Sequence, residues 1–264
     1  MIKMIVTDLD GTLLNRDGKV SNASKEYLKN LKEKGYIIVV ATGRMYASAC
    51  DALDDFSYIN YCITDSGVTC YDVSSGICMF SNPISVKVAK KFKKYYNENS
   101  LYIDICDKNT IYKYSNEFDG RKNVVTTKDW DYIFNNCREI THITMDMKTN
   151  EQVKELYNTL KEENPELDIN IMQDSFGEKI WIDILNGGSN KFNAISKLAT
   201  YLNIRDDEII AFGDGLNDID MLKKCGVGVS LSNALLSVKE NANFITEYDH
   251  NNDGVIKFLQ NFLK

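Results

Sequence analysis

Near its amino terminus the chain reads Met4-Ile5-Val6-Thr7-Asp8-Leu9-Asp10-Gly11-Thr12, an apolar stretch that runs into two carboxylates and a glycine. The apolar residues predict a β-strand, which projects alternate side chains to the same face. Asp8 and Asp10 can therefore converge, and two close carboxylates repel each other unless a cation, a proton or a substrate lies between them. The stretch favours a divalent-metal site with a carboxylate nucleophile, at the edge where open α/β sheets bind ligands. A strand-end turn without chemistry is the alternative interpretation.

The composition is that of a globular protein with an acidic balance. Of the 264 residues, 44% are hydrophobic and 26% are charged, and the formal net charge is −7. No basic stripe is visible, so we expect no nucleic-acid binding. The aliphatic run at 37–41 is too short to span a bilayer, so we expect no membrane association. The seven cysteines include no Cys-x-x-Cys pair, which argues against disulfides or zinc and favours a reducing cytoplasm.

The order of the predicted elements indicates a parallel sheet that is interrupted by an insertion. Strands and helices alternate as β-α-β-α-β over the first 80 residues, and the same rhythm returns from Asn190. The intervening segment is rich in strands and has its own helices. We therefore predict the α/β class, with a doubly wound parallel-sheet (Rossmann-like) core at 1–82 and 187–264 and an inserted α+β domain at 83–186. Pro83 and Gly187-Gly188 would mark its two ends, although plain turns explain them equally well.

A second acidic segment follows a strand predicted at 208–212, where the chain reads Gly213-Asp214-Gly215-Leu216-Asn217-Asp218. Asp214 and Asp218 are four residues apart and can lie on one side of a helical turn. Oxygen ligands without histidine or cysteine suit Mg²⁺. A turn with an Asn-Asp helix cap is the alternative for this segment alone. Because it ends a strand of the same predicted sheet, we expect its carboxylates to cluster with Asp8 and Asp10.

Two further positions fit an anionic ligand. Thr42 and Gly43 follow the second strand, and a hydroxyl with backbone N–H groups at a helix start can bind an anion. A simple Thr N-cap is an equally good interpretation. Lys191 begins a predicted helix, where its charge has the wrong sign for the helix dipole. It either faces a phosphate or is an ordinary solvated lysine.

The complete set of motifs resembles that of the haloacid dehalogenase-like hydrolases. The four motifs occur in the family's order, as Asp8-x-Asp10-Gly11-Thr12, Thr42-Gly43-Arg44, Lys191 and Gly213-Asp214-x-x-Asn217-Asp218. More narrowly, the chain resembles the Cof-type phosphatases, which carry an α/β cap between the second and third motifs. Three segments depart from the usual pattern without removing a catalytic group, namely Phe192, Ser66-Gly67-Val68 and Leu231-Ser232-Asn233-Ala234.

The resemblance implies a role for each motif residue. Asp8 would be the nucleophile that forms an aspartyl-phosphate, and Asp10 would protonate the leaving alcohol and then activate water. Mg²⁺ would be bound by Asp8, the backbone carbonyl of Asp10 and Asp214, with Asp218 supporting the site. The phosphoryl oxygens would be held by Thr42, Gly43 and Lys191, with Asn217 nearby.

We therefore predict a Mg²⁺-dependent cytoplasmic phosphatase that acts on a small phosphorylated metabolite such as a sugar phosphate. The cap would close over the core and select the substrate. Candidate specificity residues lie near its end, at Lys179, Trp181 and Asp183, although Trp181 also fits a core position. A phosphomutase of the same superfamily and a catalytically silent sensor of phosphorylated ligands are the alternatives. A structural interaction protein would need an apolar patch or a long heptad, and neither is visible. The sequence makes no prediction of the oligomeric state.

Overall fold

The computed structural model describes residues 1–97, 101–173 and 179–264, and they form two compact units. The core unit comprises Met1–Ser81 and Asn190–Lys264, and the inserted unit comprises Asn82–Ser189. The boundaries predicted from the sequence fall at 82/83 and 186/187. The two ends of the inserted unit are tied to each other, because the Asn82 side chain donates to the Gly187 carbonyl at 3.1 Å and to Ser189 Oγ at 2.9 Å.

The strands of the described residues are β1 (Met4–Thr7), β2 (Ile37–Ala41), β3 (Tyr61–Thr64), β4 (Thr69–Asp72), β5 (Ile77–Ser81), β6 (Leu101–Asp107), β7 (Thr110–Tyr114), β8 (Val124–Thr127), β9 (Ile140–Met147), β10 (Leu167–Gln173), β11 (Ile180–Asn186), β12 (Ile209–Gly213), β13 (Val227–Ser230) and β14 (Phe244–Ile245). The α-helices are α1 (Asn22–Glu33), α2 (Tyr46–Leu53), α3 (Val86–Ala89), α4 (Trp130–Asn136), α5 (Asn150–Glu163), α6 (Lys191–Tyr201), α7 (Ile219–Lys224), α8 (Leu236–Lys239) and α9 (Gly254–Phe262). No helix in these ranges is both long and apolar enough to cross a bilayer.

The core unit is built on a mostly parallel sheet. Within the described residues its strand order is β14-β13-β12-β1-β2-β3-β4-β5, and only the β3–β4 and β4–β5 pairs are antiparallel. The first strand lies between β12 and β2, with Thr7 beside Phe212 on one side and beside Val40 on the other. The segments that follow β1, β2 and β12 therefore begin at the same edge of the sheet.

Helices cover both faces of this sheet. Met4 and Val6 of β1 pack in one cluster with α6 and α7, whereas Ile5 packs in another with α1, α2 and α9. Burial on both faces explains why these strands are continuous apolar runs rather than alternating ones. The predicted doubly wound α/β core is confirmed.

The inserted unit has a mostly antiparallel sheet in the order β10-β11-β9-β6-β7-β8, with β7 and β8 parallel. One face packs against α3, α4 and α5 through an apolar row across the strands, formed by Ile169, Ile184, Ile143, Ile105 and Tyr112. The neighbouring register positions, which project to the opposite face, are polar and comprise Asn170, Asp183, Thr144, Asp104, Lys113 and Thr126. A period of two therefore separates an apolar face from a polar one.

Several elements differ from those that the sequence predicts. The helix expected at 85–97 is α3 followed by a 3₁₀ segment, Lys90–Tyr95. The tighter winding repeats every three residues, which brings Ala89, Phe92 and Tyr95 to the core side. The short elements β8 and α4 are not predicted at all, because they bury few side chains and so carry a weak periodic signal.

Candidate active site

The first acidic motif lies where β1 ends. Asp8 follows Thr7 directly, is buried, and its N–H donates to the Phe212 carbonyl of β12 at 3.0 Å. The chain then turns at Leu9–Leu13, and Gly11 adopts a φ of +72°. A Cβ on Gly11 would lie 2.1 Å from Oδ2 of Asp214, so only glycine lets the two acidic loops approach this closely.

Lys191 joins two of the acidic residues. Its Nζ donates to Oδ1 of Asp8 at 2.8 Å and to Oδ1 of Asp218 at 2.6 Å, and its side chain is only 1% exposed. The lysine is the first residue of α6, which Asn190 caps by accepting from the Asn193 N–H. A buried ammonium is retained here because two carboxylates compensate the loss of hydration.

Asp218 also organises the loop after β12. Its Oδ2 accepts from the N–H groups of Asp214 at 3.0 Å and Gly215 at 2.9 Å. Thr12 Oγ1, from the first motif, donates to Oδ1 of Asp214 at 2.6 Å. The first and last motifs are therefore bound to each other through side chains as well as through the β1–β12 pairing.

Burial and mutual repulsion dominate the electrostatics of this cluster. Burial raises the pKa of Asp8 well above its ordinary value, and Asp218 and Asp214 add to the rise, although Lys191 opposes it. Burial and Asp218 together raise the pKa of Asp214 to about 7. Burial by itself lowers the pKa of Lys191, but Asp218 and Asp8 outweigh it and hold this pKa above its ordinary value. The Lys191 ammonium thus stays charged, but its single positive charge does not neutralise all of the neighbouring carboxylates.

The cluster fits a divalent cation. One carboxylate oxygen from each of Asp8, Asp214 and Asp218 lies within 4.8 Å of the others. If all three are ionised, Lys191 leaves two negative charges uncompensated, and a divalent ion neutralises them. The donors are all hard oxygens, which suits Mg²⁺ rather than zinc or copper.

The Asp10 carboxylate lies outside this group. Its two oxygens accept from the Arg44 guanidinium in a bidentate pair, at 2.7 Å from Nε and 2.6 Å from Nη2. The alternation that predicts convergence of Asp8 and Asp10 holds only along the strand, and β1 ends at Thr7. Asp218, which the sequence predicts only as a supporting residue, is the third carboxylate of the cluster with Asp8 and Asp214. The metal contact predicted for Asp10 uses its backbone carbonyl and stays a prediction.

The remaining predicted site residues lie in loops of the core unit. Thr42 directly follows β2 and is buried, and its Oγ1 accepts from the Arg44 N–H at 3.1 Å. Gly43 lies between them, and α2 begins only at Tyr46 rather than immediately after Gly43. Asn217 is half-buried in the turn Leu216–Asp218 that leads into α7. Their contacts with a phosphate stay predictions.

The family model of the haloacid dehalogenase-like hydrolases matches residues 5–259 of the chain. The chain belongs to this family. The resemblance seen in the motifs, including its Cof-type branch, is thus confirmed, as is the enzyme class of a phosphatase of this family.

Relatives match the hydrolase over its whole length. A 5-amino-6-(5-phospho-D-ribitylamino)uracil phosphatase of Bacillus subtilis is 27% identical, and the match covers 99% of this chain and 96% of the relative. A pyridoxal phosphate phosphatase of Escherichia coli is 24% identical, with 99% and 98% covered. The solved structure of a haloacid dehalogenase-like hydrolase from B. subtilis shares the fold, with a TM-score of 0.84, 23% identity and coverage of 98% and 99%.

The hydrolase has three structural contacts at the site that sequence reasoning missed. They are the pairing of Arg44 with Asp10, the hydrogen bond from Thr12 to Asp214, and a bond of 2.8 Å from Asn233 Nδ2 to the Gly11 carbonyl. Thr12 and Arg44 belong to the first two motifs, and Asn233 belongs to one of the segments that depart from the usual family pattern. The motifs therefore identify the residues, but they do not show which partners each one binds.

Proposed function

We propose that this hydrolase is a Mg²⁺-dependent phosphatase that cleaves a small phosphorylated metabolite through an aspartyl-phosphate on Asp8. The observation that carries the proposal is the buried contact of Lys191 with both Asp8 and Asp218, beside Asp214, at one edge of the parallel sheet. A structural role alone gives no reason to bury two carboxylates against one ammonium with a third, half-buried carboxylate beside them, since such an arrangement costs free energy.

In the first step an oxygen of Asp8 attacks phosphorus while the bond from phosphorus to the leaving oxygen breaks. Lys191 orients Asp8 through its hydrogen bond and brings positive charge to the phosphoryl oxygens. Asp10 gives its proton to the leaving oxygen, so an alcohol departs rather than an alkoxide. Thr42 and Gly43 complete the phosphate contacts, and Asn217 lies nearby. The Thr42 hydroxyl oxygen already accepts from Arg44, so its hydrogen can be donated to a ligand.

In the second step Asp10 accepts a proton from water, which attacks phosphorus and releases Asp8. Splitting the hydrolysis in this way divides one difficult displacement into two easier ones. The ion would be held by Asp8, Asp214 and the Asp10 carbonyl, with Asp218 supporting them, and it supplies the charge that lets an anionic nucleophile approach an anionic phosphate.

The substrate class rests on the relatives and on the charge of the protein. The relatives are named for different phosphorylated small molecules, a ribitylaminouracil phosphate and pyridoxal phosphate. A net charge of −7 disfavours long polyanions such as nucleic acid. We propose that the inserted unit acts as the cap that selects the substrate, and that the protein works in the cytoplasm.

The decisive experiment measures free phosphate released from a panel of phosphorylated metabolites in the presence of Mg²⁺. We expect wild type to release phosphate and Asp8→Asn to release none while its melting temperature is preserved. Asp17→Asn, an exposed position in the loop after the same motif, is the matched control and should behave as wild type. Interconversion of phosphate isomers without release would indicate a mutase instead, and Asp8→Asn with full activity would remove it as the nucleophile.

A further inference from the structure

The proposed mechanism gives no role to the ion pair between Arg44 and Asp10. We infer that Arg44 is a positioning residue, which orients the Asp10 carboxyl group toward the leaving oxygen of the substrate. This inference rests on the proposed function, because it assigns a role to Arg44 only through proton transfer by Asp10.

The backbone of Arg44 is fixed on both sides. Its N–H donates to Thr42 Oγ1 at 3.1 Å, and its carbonyl accepts from the Asp65 N–H at 2.9 Å. The guanidinium also reaches the Ser48 carbonyl of α2 at 3.4 Å. The residue that holds Asp10 is therefore anchored through its backbone to the loops after β2 and β3, and through its side chain to α2.

Asp10 needs such an anchor more than its acidic neighbours do. Its side chain is 46% exposed, whereas those of Asp8 and Asp218 are 9% and 0% exposed. An exposed carboxylate on a turn can rotate between several rotamers, and each misaligned rotamer slows a proton transfer that depends on geometry. A bidentate guanidinium fixes the plane of the carboxylate as well as its position, which an ammonium cannot do.

A direct contact of Arg44 with the substrate phosphate is the competing role. The two roles differ in how they depend on the leaving group. A proton donor matters for an alkoxide, which is a poor leaving group, and hardly matters for p-nitrophenolate, which leaves without protonation. A phosphate contact is the same for both substrates. The parameter to compare is kcat/KM, because it reports the steps up to the first irreversible release and excludes the later hydrolysis.

The experiment compares Arg44→Met with wild type on a sugar phosphate and on p-nitrophenyl phosphate. General acids contribute about 10²–10⁴-fold, so we expect kcat/KM for the sugar phosphate to fall by at least about tenfold. We expect kcat/KM for p-nitrophenyl phosphate to stay within about threefold of wild type, which also shows that the variant is folded. For the sugar phosphate, kcat/KM of Arg44→Lys should lie between the values of wild type and Arg44→Met. Arg205→Met removes an exposed arginine paired with Asp207 in the same unit and should change neither value.

A double-mutant comparison tests whether Arg44 acts through Asp10. In an Asp10→Asn background, Arg44→Met should cause no further loss with the sugar phosphate, because the group that it positions is already gone. Equal losses on both substrates, or a full further loss in that background, would overturn the inference and leave the proposed function standing. Absence of phosphate release by wild type from every member of the metabolite panel and from p-nitrophenyl phosphate would overturn both.

Discussion

Lys191 Nζ lies 2.8 Å from Oδ1 of Asp8, although 183 positions separate the two residues in the chain. The contact exists because α6 and β1 belong to the same unit, on either side of the inserted segment. It means that a residue on the far side of the insertion opposes the rise that burial causes in the pKa of the proposed nucleophile.

Replacing this lysine should damage stability as well as activity. Lys191→Met leaves Asp8 and Asp218 buried without their cation, and breaking a buried ion pair from one side costs about 3–5 kcal/mol. We expect the free energy of unfolding in denaturant to fall by that amount in EDTA, and kcat/KM to fall at least about 100-fold. Lys223→Met, at an exposed position of α7 in the same unit, is the control and should stay within about 0.5 kcal/mol of wild type. An active and fully stable Lys191→Met protein would contradict the arrangement of charges described above.

Removal of divalent ions should silence the enzyme reversibly. We expect no phosphate release after dialysis against EDTA and full recovery on addition of Mg²⁺, because the uncompensated carboxylates otherwise repel the substrate. Asp214→Asn should need at least about tenfold more Mg²⁺ for half-maximal activity. Asp220→Asn changes a partly exposed carboxylate of α7 that pairs with Lys224, and it should keep the wild-type requirement. Undiminished turnover after rigorous chelation would exclude the metal site.

The space around Gly11 offers a test of the close approach between the two acidic loops. A Cβ at Gly11 would overlap the Asp214 carboxylate, so Gly11→Ala should displace that side chain, weaken Mg²⁺ binding and abolish most activity. Gly18→Ala is a matched control, because Gly18 has a similar φ of +69° but no atom lies within 4 Å of the added carbon. It should cost only the strain of a left-handed residue, about 1–2 kcal/mol, with activity retained. Equal activity of the two variants would show that the approach is not needed.

Stability of the inserted unit should depend on pH through Asp104. Burial raises the pKa of Asp104 to about 6, although Lys113 and Arg121 oppose the rise, while Asp119 and Asp146 add to it. A raised folded-state pKa stabilises the protein below the unfolded pKa of about 3.9, and this stabilisation is lost as pH rises through about 6.

The free energy of unfolding of Asp104→Asn should therefore rise relative to that of wild type between about pH 4 and pH 6, by up to about 3 kcal/mol. This difference should stay constant above pH 7. Denaturant unfolding at a series of pH values measures it. Asp119→Asn should show the opposite sign, because hydrogen bonds from Arg121 and Lys113 hold the pKa of Asp119 below its ordinary value. It should lose stability at neutral pH, and the loss should vanish as pH falls below the ordinary range of a carboxyl group. A pH-independent difference for Asp104→Asn would show that its carboxyl group is not held neutral by burial.

The sequence alone determined the parallel core and the location of the chemistry. The apolar runs at 4–7, 37–41 and 209–212 predict strands, the second of them covered on both faces, and acidic or hydroxyl residues follow each run. Since parallel strands end at one edge, the clustering of Asp8 with Asp214 follows from local patterns plus a single rule of topology.

Tertiary structure alone decided which charged groups pair. Arg44 pairs with Asp10, whereas Lys191 pairs with Asp8 and Asp218. The spacing of these residues in the sequence does not distinguish this pairing from its alternatives. Each choice depends on the strand register, on where β1 ends and on the rotamers that burial allows. Strand and helix patterns are local properties of a few neighbouring residues, but the partner of a buried charge is set by groups far away in the chain that only folding brings within hydrogen-bond distance.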